Sequence, residues 1–71
     1  MDNYDKALEY NLKGLEIKKQ AYRDQLDHPH VASSYNNTGG AYMDMGNYDK
    51  ALDFGLKALE IYKQAYMGAF I

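Results

Sequence analysis

The feature that most restricts this chain is that it repeats itself. Residues 3–22 return 44 positions later as residues 47–66, and 15 of the 20 aligned positions are identical. The differing pairs are Glu9/Asp53, Tyr10/Phe54, Asn11/Gly55, Gly14/Ala58 and Lys18/Tyr62. A repeat interval between about 20 and 50 residues marks a stacked architecture, in which each unit hides its apolar face only against its neighbours. With 71 residues in all, the chain is expected to be a single module, 1–71, without room for a second core.

Each copy reads as a helix. In the first copy, Tyr4, Ala7, Leu8, Tyr10, Leu12, Leu15, Ile17, Ala21 and Tyr22 recur at threes and fours. That apolar arc is wider than one buried face requires, which predicts contacts on two sides of the helix. Asn3 and Asn47 stand where N-caps belong. Asp2–Lys6, Glu9–Lys13 and Asp53–Lys57 are i,i+4 pairs with the acid first, each worth about 0.2–0.5 kcal/mol. Between the copies, Asp27-His28-Pro29 should close one helix and open the next, because proline suits the first helical position. Val31, Ala32, Tyr35, Thr38, Gly39, Tyr42 and Met45 trace a further helical face, and Gly46-Asn47 supplies a stop followed by a start. The expected elements are helices 3–25, 29–45 and 47–67.

Composition narrows the function classes. The net charge of −2 leaves no cationic surplus for phosphate contacts, so nucleic acid is not an expected partner. Cysteine is absent, which removes disulfide frameworks and Cys-based zinc sites. No apolar run nears the roughly 18 residues of a membrane span, and Met1-Asp2-Asn3-Tyr4-Asp5 lacks the character of a signal peptide. A cytoplasmic module without membrane contact is therefore expected.

The segment Gly39-x-x-Tyr42, followed by Gly46-Asn47-Tyr48, Ala51 and Ala58-Leu59-Glu60-Ile61, resembles the tetratricopeptide repeat. The stretch Asp27-His28-Pro29-His30-Val31-Ala32-Ser33-Ser34-Tyr35-Asn36-Asn37 is similar to the start of helix A in the longer repeats of kinesin light chains. The resemblance implies an all-α fragment of a helical-hairpin solenoid, with three antiparallel helices in B-A-B order. It places Gly39 and Ala51 at the closest approach of two helices, with Tyr42 and Tyr48 filling the space on either side. A leucine at Gly39 would then overpack that crossing by roughly 1–3 kcal/mol. The chain departs from the family pattern at Asn11, Gly55, Gly14 and Lys63, where an aromatic, an aromatic, an alanine and a proline are usual.

The same resemblance implies protein or peptide binding along the helix A face. Ser33, Asn36, Asn37, Gly40, Met43 and Asp44 fall on the corresponding positions. Asn36 and Asn37 lead, since an amide both donates to and accepts from a peptide backbone. The basic residues of a carboxylate clamp are missing. A second reading is a self-associating structural module: the outer helices leave apolar faces, and Tyr66, Met67, Phe70 and Ile71 are apolar where a polar cap would serve better, so a homo-oligomer built by stacking or helix exchange would complete the core.

Other constellations favour structural roles. His28 and His30, with Asp24 and Asp27 nearby, have ligand chemistry, but residues at i and i+2 diverge on a helix and no third ligand is fixed. Ser33 or Ser34 near His30 lacks both an orienting group for the imidazole and oxyanion donors, so no enzyme is expected. Gly39-Gly40 lies within a helical pattern and is no phosphate loop. The eight tyrosines, at helical spacing and without a basic groove, are assigned to the core. No cofactor or metal is implied.

Overall fold

The computed structural model describes residues 3–67. Three helices follow one another: α1 (Tyr4–Ala21), α2 (Pro29–Asp44) and α3 (Tyr48–Met67). Helix α2 lies between the other two and packs on both, while α1 and α3 do not pack on each other. The body is accordingly thin, 14 Å along its shortest axis, little more than the ~10–12 Å diameter of one helix. The duplicated segments are the outer rods and the middle segment is wedged between them.

The helix boundaries follow from local chemistry. At the start of α2, His28 has extended backbone, its Nδ1 accepts a hydrogen bond from the His30 N–H at 3.1 Å, and Pro29 follows at the first helical position. At its end, Gly46 takes φ +81°, the Gly46 N–H donates to the Met43 carbonyl at 2.9 Å, and the Asn47 N–H donates to the Tyr42 carbonyl at 2.9 Å. This is the Schellman arrangement, which needs a residue free to adopt the left-handed conformation. The Asn47 side chain then accepts from the Lys50 N–H at 3.3 Å, so one dipeptide ends α2 and caps α3.

The first helix is shorter than the periodicity predicts. It stops at Ala21 rather than 25, and the chain turns through Tyr22–Gln25 and Gln25–His28 hydrogen bonds. The reason is Tyr22. Its ring stacks on His28 at 4.2 Å between centroids, and its hydroxyl lies 3.0 Å from His30 Nδ1. Holding that ring against the start of α2 requires the backbone to leave the helix at once. The side chain of Asn3 makes no capping bond, unlike that of Asn47. Of the i,i+4 charge pairs within the described residues, Glu9–Lys13 closes, at 3.2 Å, and both partners are exposed. Asp2 lies outside the described residues.

The interior is small. Val31, Ala32 and Ile61 form its centre, with Tyr22, Tyr35 and Tyr62 packed around them. Gly39 faces α3 where the helices come closest: a Cβ built there would lie 3.3 Å from the Ala51 carbonyl oxygen and 3.5 Å from the Gly55 nitrogen. The expected crossing of Gly39 and Ala51 is present. Its aromatic filling differs, because Tyr48 is 67% exposed and Phe54 takes its place, 5.3 Å from Tyr42 and 5.8 Å from Tyr35. Tyr48 is the first residue of α3, a helical turn and a half before Phe54, and points off the crossing. The tyrosines are also less internal than expected. Tyr4, Tyr10, Tyr48 and Tyr66 are exposed, and Tyr22, Tyr35, Tyr42 and Tyr62 are half-buried. A layer one helix deep has too little interior for eight phenols, each of which must also keep its hydroxyl bonded or wet.

Candidate functional site

With both flanks of α2 covered, one arc of it faces solvent. Ser33, Asn36, Asn37, Gly40, Met43 and Asp44 are all exposed. Their spacing of three, one, three, three and one residues is that of a single helical strip. Helix α2 presents this strip because its other arcs are occupied: Tyr35, Gly39 and Tyr42 turn toward α3, and Thr38 toward α1. The sequence-derived candidates therefore share one surface.

The strip is polar and weakly charged. No described residue hydrogen-bonds the side-chain amides of Asn36 or Asn37, which leaves both free to meet a backbone from outside. The Asn37 carbonyl accepts from Asn11 Nδ2 at 3.5 Å, which ties this part of α2 to α1 without using the Asn37 side chain. Gly40 has nothing within 4 Å of the place a Cβ would occupy, so the strip is shallow at its centre. Met43 is 57% exposed and offers a flexible apolar contact. Asp44 closes the strip at the C-terminal end of α2, where the helix dipole adds further negative character. No lysine or arginine lies among the strip residues.

The histidines have structural work instead. His28 Nδ1 is used by the His30 N–H, and His30 Nδ1 by the Tyr22 hydroxyl. Ser34 donates to the His30 carbonyl at 3.3 Å, a bond within its own helix. Among the described residues no group of three or more His, Cys, Asp or Glu comes together, and no helix is long and apolar enough to cross a membrane.

Of the apolar residues proposed for association, Tyr66 and Met67 are exposed near the end of α3. Phe70 and Ile71 lie outside the described residues. Sequence reasoning missed one feature outright and, for a second, the apolar face expected on the outer helices, left the residues unnamed. The first is a cleft of 380 Å³ between the end of α1 and α3, floored by Val31, Tyr35 and Ile61 and edged by Lys19, Lys57 and Glu60. The second is the exposed row Leu52, Leu56 and Leu59 on α3. The i, i+4, i+7 spacing of that row was the available signal, but periodicity cannot tell which of two apolar arcs meets a neighbour.

A search of curated proteins and a search of solved structures found no match. The family model described as tetratricopeptide repeat matches residues 1–64, nearly the whole chain, and the matched span holds all of α1 and α2 and most of α3. The layered order of an outer rod, a central helix and a second outer rod, joined through a glycine–alanine crossing, is the arrangement such a repeat produces, and the chain belongs to the tetratricopeptide repeat family.

Proposed function

We propose that the chain is a non-catalytic protein-interaction scaffold that receives an extended peptide or protein segment along the α2 strip. The observation that carries this reading is the free, continuous surface of Ser33, Asn36, Asn37, Gly40, Met43 and Asp44 on a helix whose remaining arcs are packed. Unused amides suit recognition of a peptide main chain, and Asp44 with the adjoining helix terminus favours a basic residue in the segment bound there. The 44-residue repeat interval, against about 34 for the common repeat, supports the long-repeat type similar to kinesin light chains.

The experiment is a selection of displayed random peptides on the immobilised chain, followed by rebinding to Gly40→Arg. This substitution fills the centre of the strip and meets open space in the fold. Selected peptides should carry a Lys or Arg and lose about tenfold or more in affinity for the variant, equivalent to about 1.4 kcal/mol. Peptides that bind both proteins equally would place recognition on another surface.

A further inference from the structure

Helix α2 holds the outer helices apart, and the cleft between the end of α1 and α3 is the space this leaves. Its volume of 380 Å³ is within the range of about 300–1,000 Å³ common to ligand sites. The cleft does not belong to the α2 strip. At about 3.6 residues per turn, its floor residues Val31 and Tyr35 lie on the arc of α2 roughly opposite the centre of the run from Ser33 to Asp44.

The charges of the cleft are sorted along its length. Helices α2 and α3 run antiparallel here, with Ile61 packed at Val31 and Lys57 beside Tyr35. Asp27, four residues before Val31, therefore marks one end of the cleft and Lys57 the other. The stretch of α3 that lines the cleft, from Lys57 to Gln64, sets its length at about 10 Å. On the walls, Lys19 of α1 and Glu60 of α3 are opposite in sign and leave no net charge between the ends. Neither Asp27 nor Lys57 forms an ion pair with a described residue.

We infer that this cleft is a second peptide site, which takes an extended segment of a partner protein with an aliphatic side chain between a basic and an acidic residue. The aliphatic group rests on Val31, Tyr35 and Ile61, the base faces Asp27 and the acid faces Lys57. In an extended chain alternate side chains share a face and each residue advances about 3.3 Å, so the three groups belong at i−2, i and i+2. Ends about 10 Å apart are too distant for the ammonium and carboxylate of one free amino acid, and suit side chains carried on a main chain. Covering the aliphatic side chain supplies the affinity. The end charges are exposed, so they contribute selectivity more than strength.

The test uses the intact chain and a labelled synthetic peptide, Ser-Gly-Arg-Ala-Leu-Ala-Glu-Gly-Ser, followed by fluorescence anisotropy and NMR shifts. Two companion peptides carry Glu at both charged positions or Arg at both, because neither can satisfy both ends in either chain direction. Saturable binding of the mixed peptide is expected, about threefold or more tighter than either companion, with shifts at Val31, Tyr35 and Ile61. Glycine in place of its leucine should weaken it by about tenfold or more. Lys57→Glu, an exposed position, should weaken the mixed peptide by about threefold or more and strengthen the all-Arg companion, a gain that mere loss of folding would not produce. Gly40→Arg should leave binding within about twofold, so the cleft and the α2 strip can fail separately. Absence of saturable binding, indifference to the leucine, or a companion that binds as tightly as the mixed peptide would overturn the assignment. So would shifts at Asn36, Asn37 and Met43, which mean binding on the strip. Displacement by equimolar free leucine would give the cleft to a small zwitterion, and a dimer that Lys57→Glu dissolves would give it to a second copy; either result overturns it.

Discussion

Gly39 and Gly40 are adjacent in sequence and opposite in circumstance. A Cβ at Gly39 would lie 3.3 Å from the Ala51 carbonyl oxygen, a backbone atom that can yield only if α3 moves as a body. A Cβ at Gly40 would meet open space. Gly39→Ala should therefore destabilise the fold on balance, because overpacking against a backbone atom costs roughly 1–3 kcal/mol and outweighs the about 0.5–1 kcal/mol that a helical glycine-to-alanine exchange returns. Gly40→Ala should stabilise it by about 0.5–1 kcal/mol, because a helical glycine gives up more backbone freedom than alanine. Paired thermal melts of the two variants should move in opposite directions; a common direction would contradict the crossing geometry. Gly46 is a third case, since its φ of +81° and not its surroundings sets the cost of a side chain. Gly46→Ala should lose about 1–2 kcal/mol in chemical denaturation.

Among the elements, α1 is held least firmly. It packs on one neighbour, buries Leu15 alone, carries Gly14 in its interior and lacks a side-chain N-cap. Its copy α3 has Ala58 for Gly14, the Asn47 cap, and Ala51, Ala58 and Ile61 buried. Local opening follows such differences in burial and capping. Amide exchange should run faster throughout α1 than through the middle of α2 and α3, and equal protection in α1 and α3 would show that the outer rods are equivalent in stability as well as in sequence. Helix α2 is the opposite case: its own composition, with Gly39-Gly40 and a run of Ser, Asn and Thr, is a poor helix former, and it is secured by its caps and by neighbours on both sides.

At the scale of the whole molecule, a central helix serves two clients and leaves each outer helix with one satisfied face. Much of this was written in the sequence. The 44-residue duplication, the glycine–asparagine stop and start, the proline at the head of α2 and the small residue at Gly39 give three helices in their observed order. The strip from Ser33 to Asp44 was legible for the same reason, since residues three and four apart must share a helical face. The early end of α1 was not, because it depends on Tyr22 meeting His28 and His30 across a turn. Nor was the role of Phe54, or the exposure of Tyr10 and Tyr48. Each turns on which segment lies alongside another.

The sequence by itself determined that each copy of the repeat carries two apolar rows, because periodicity records every position at which a side chain could be buried. Only the tertiary structure decided which row is buried, and it decided differently for the two copies. Helix α2 approaches α1 from one side and α3 from the other, so Leu15 is enclosed and Leu59 is not, while Ile61 is enclosed and Ile17 is not. Burial belongs to a pair of surfaces, and identical residues take opposite fates when the single central helix meets them on opposite faces.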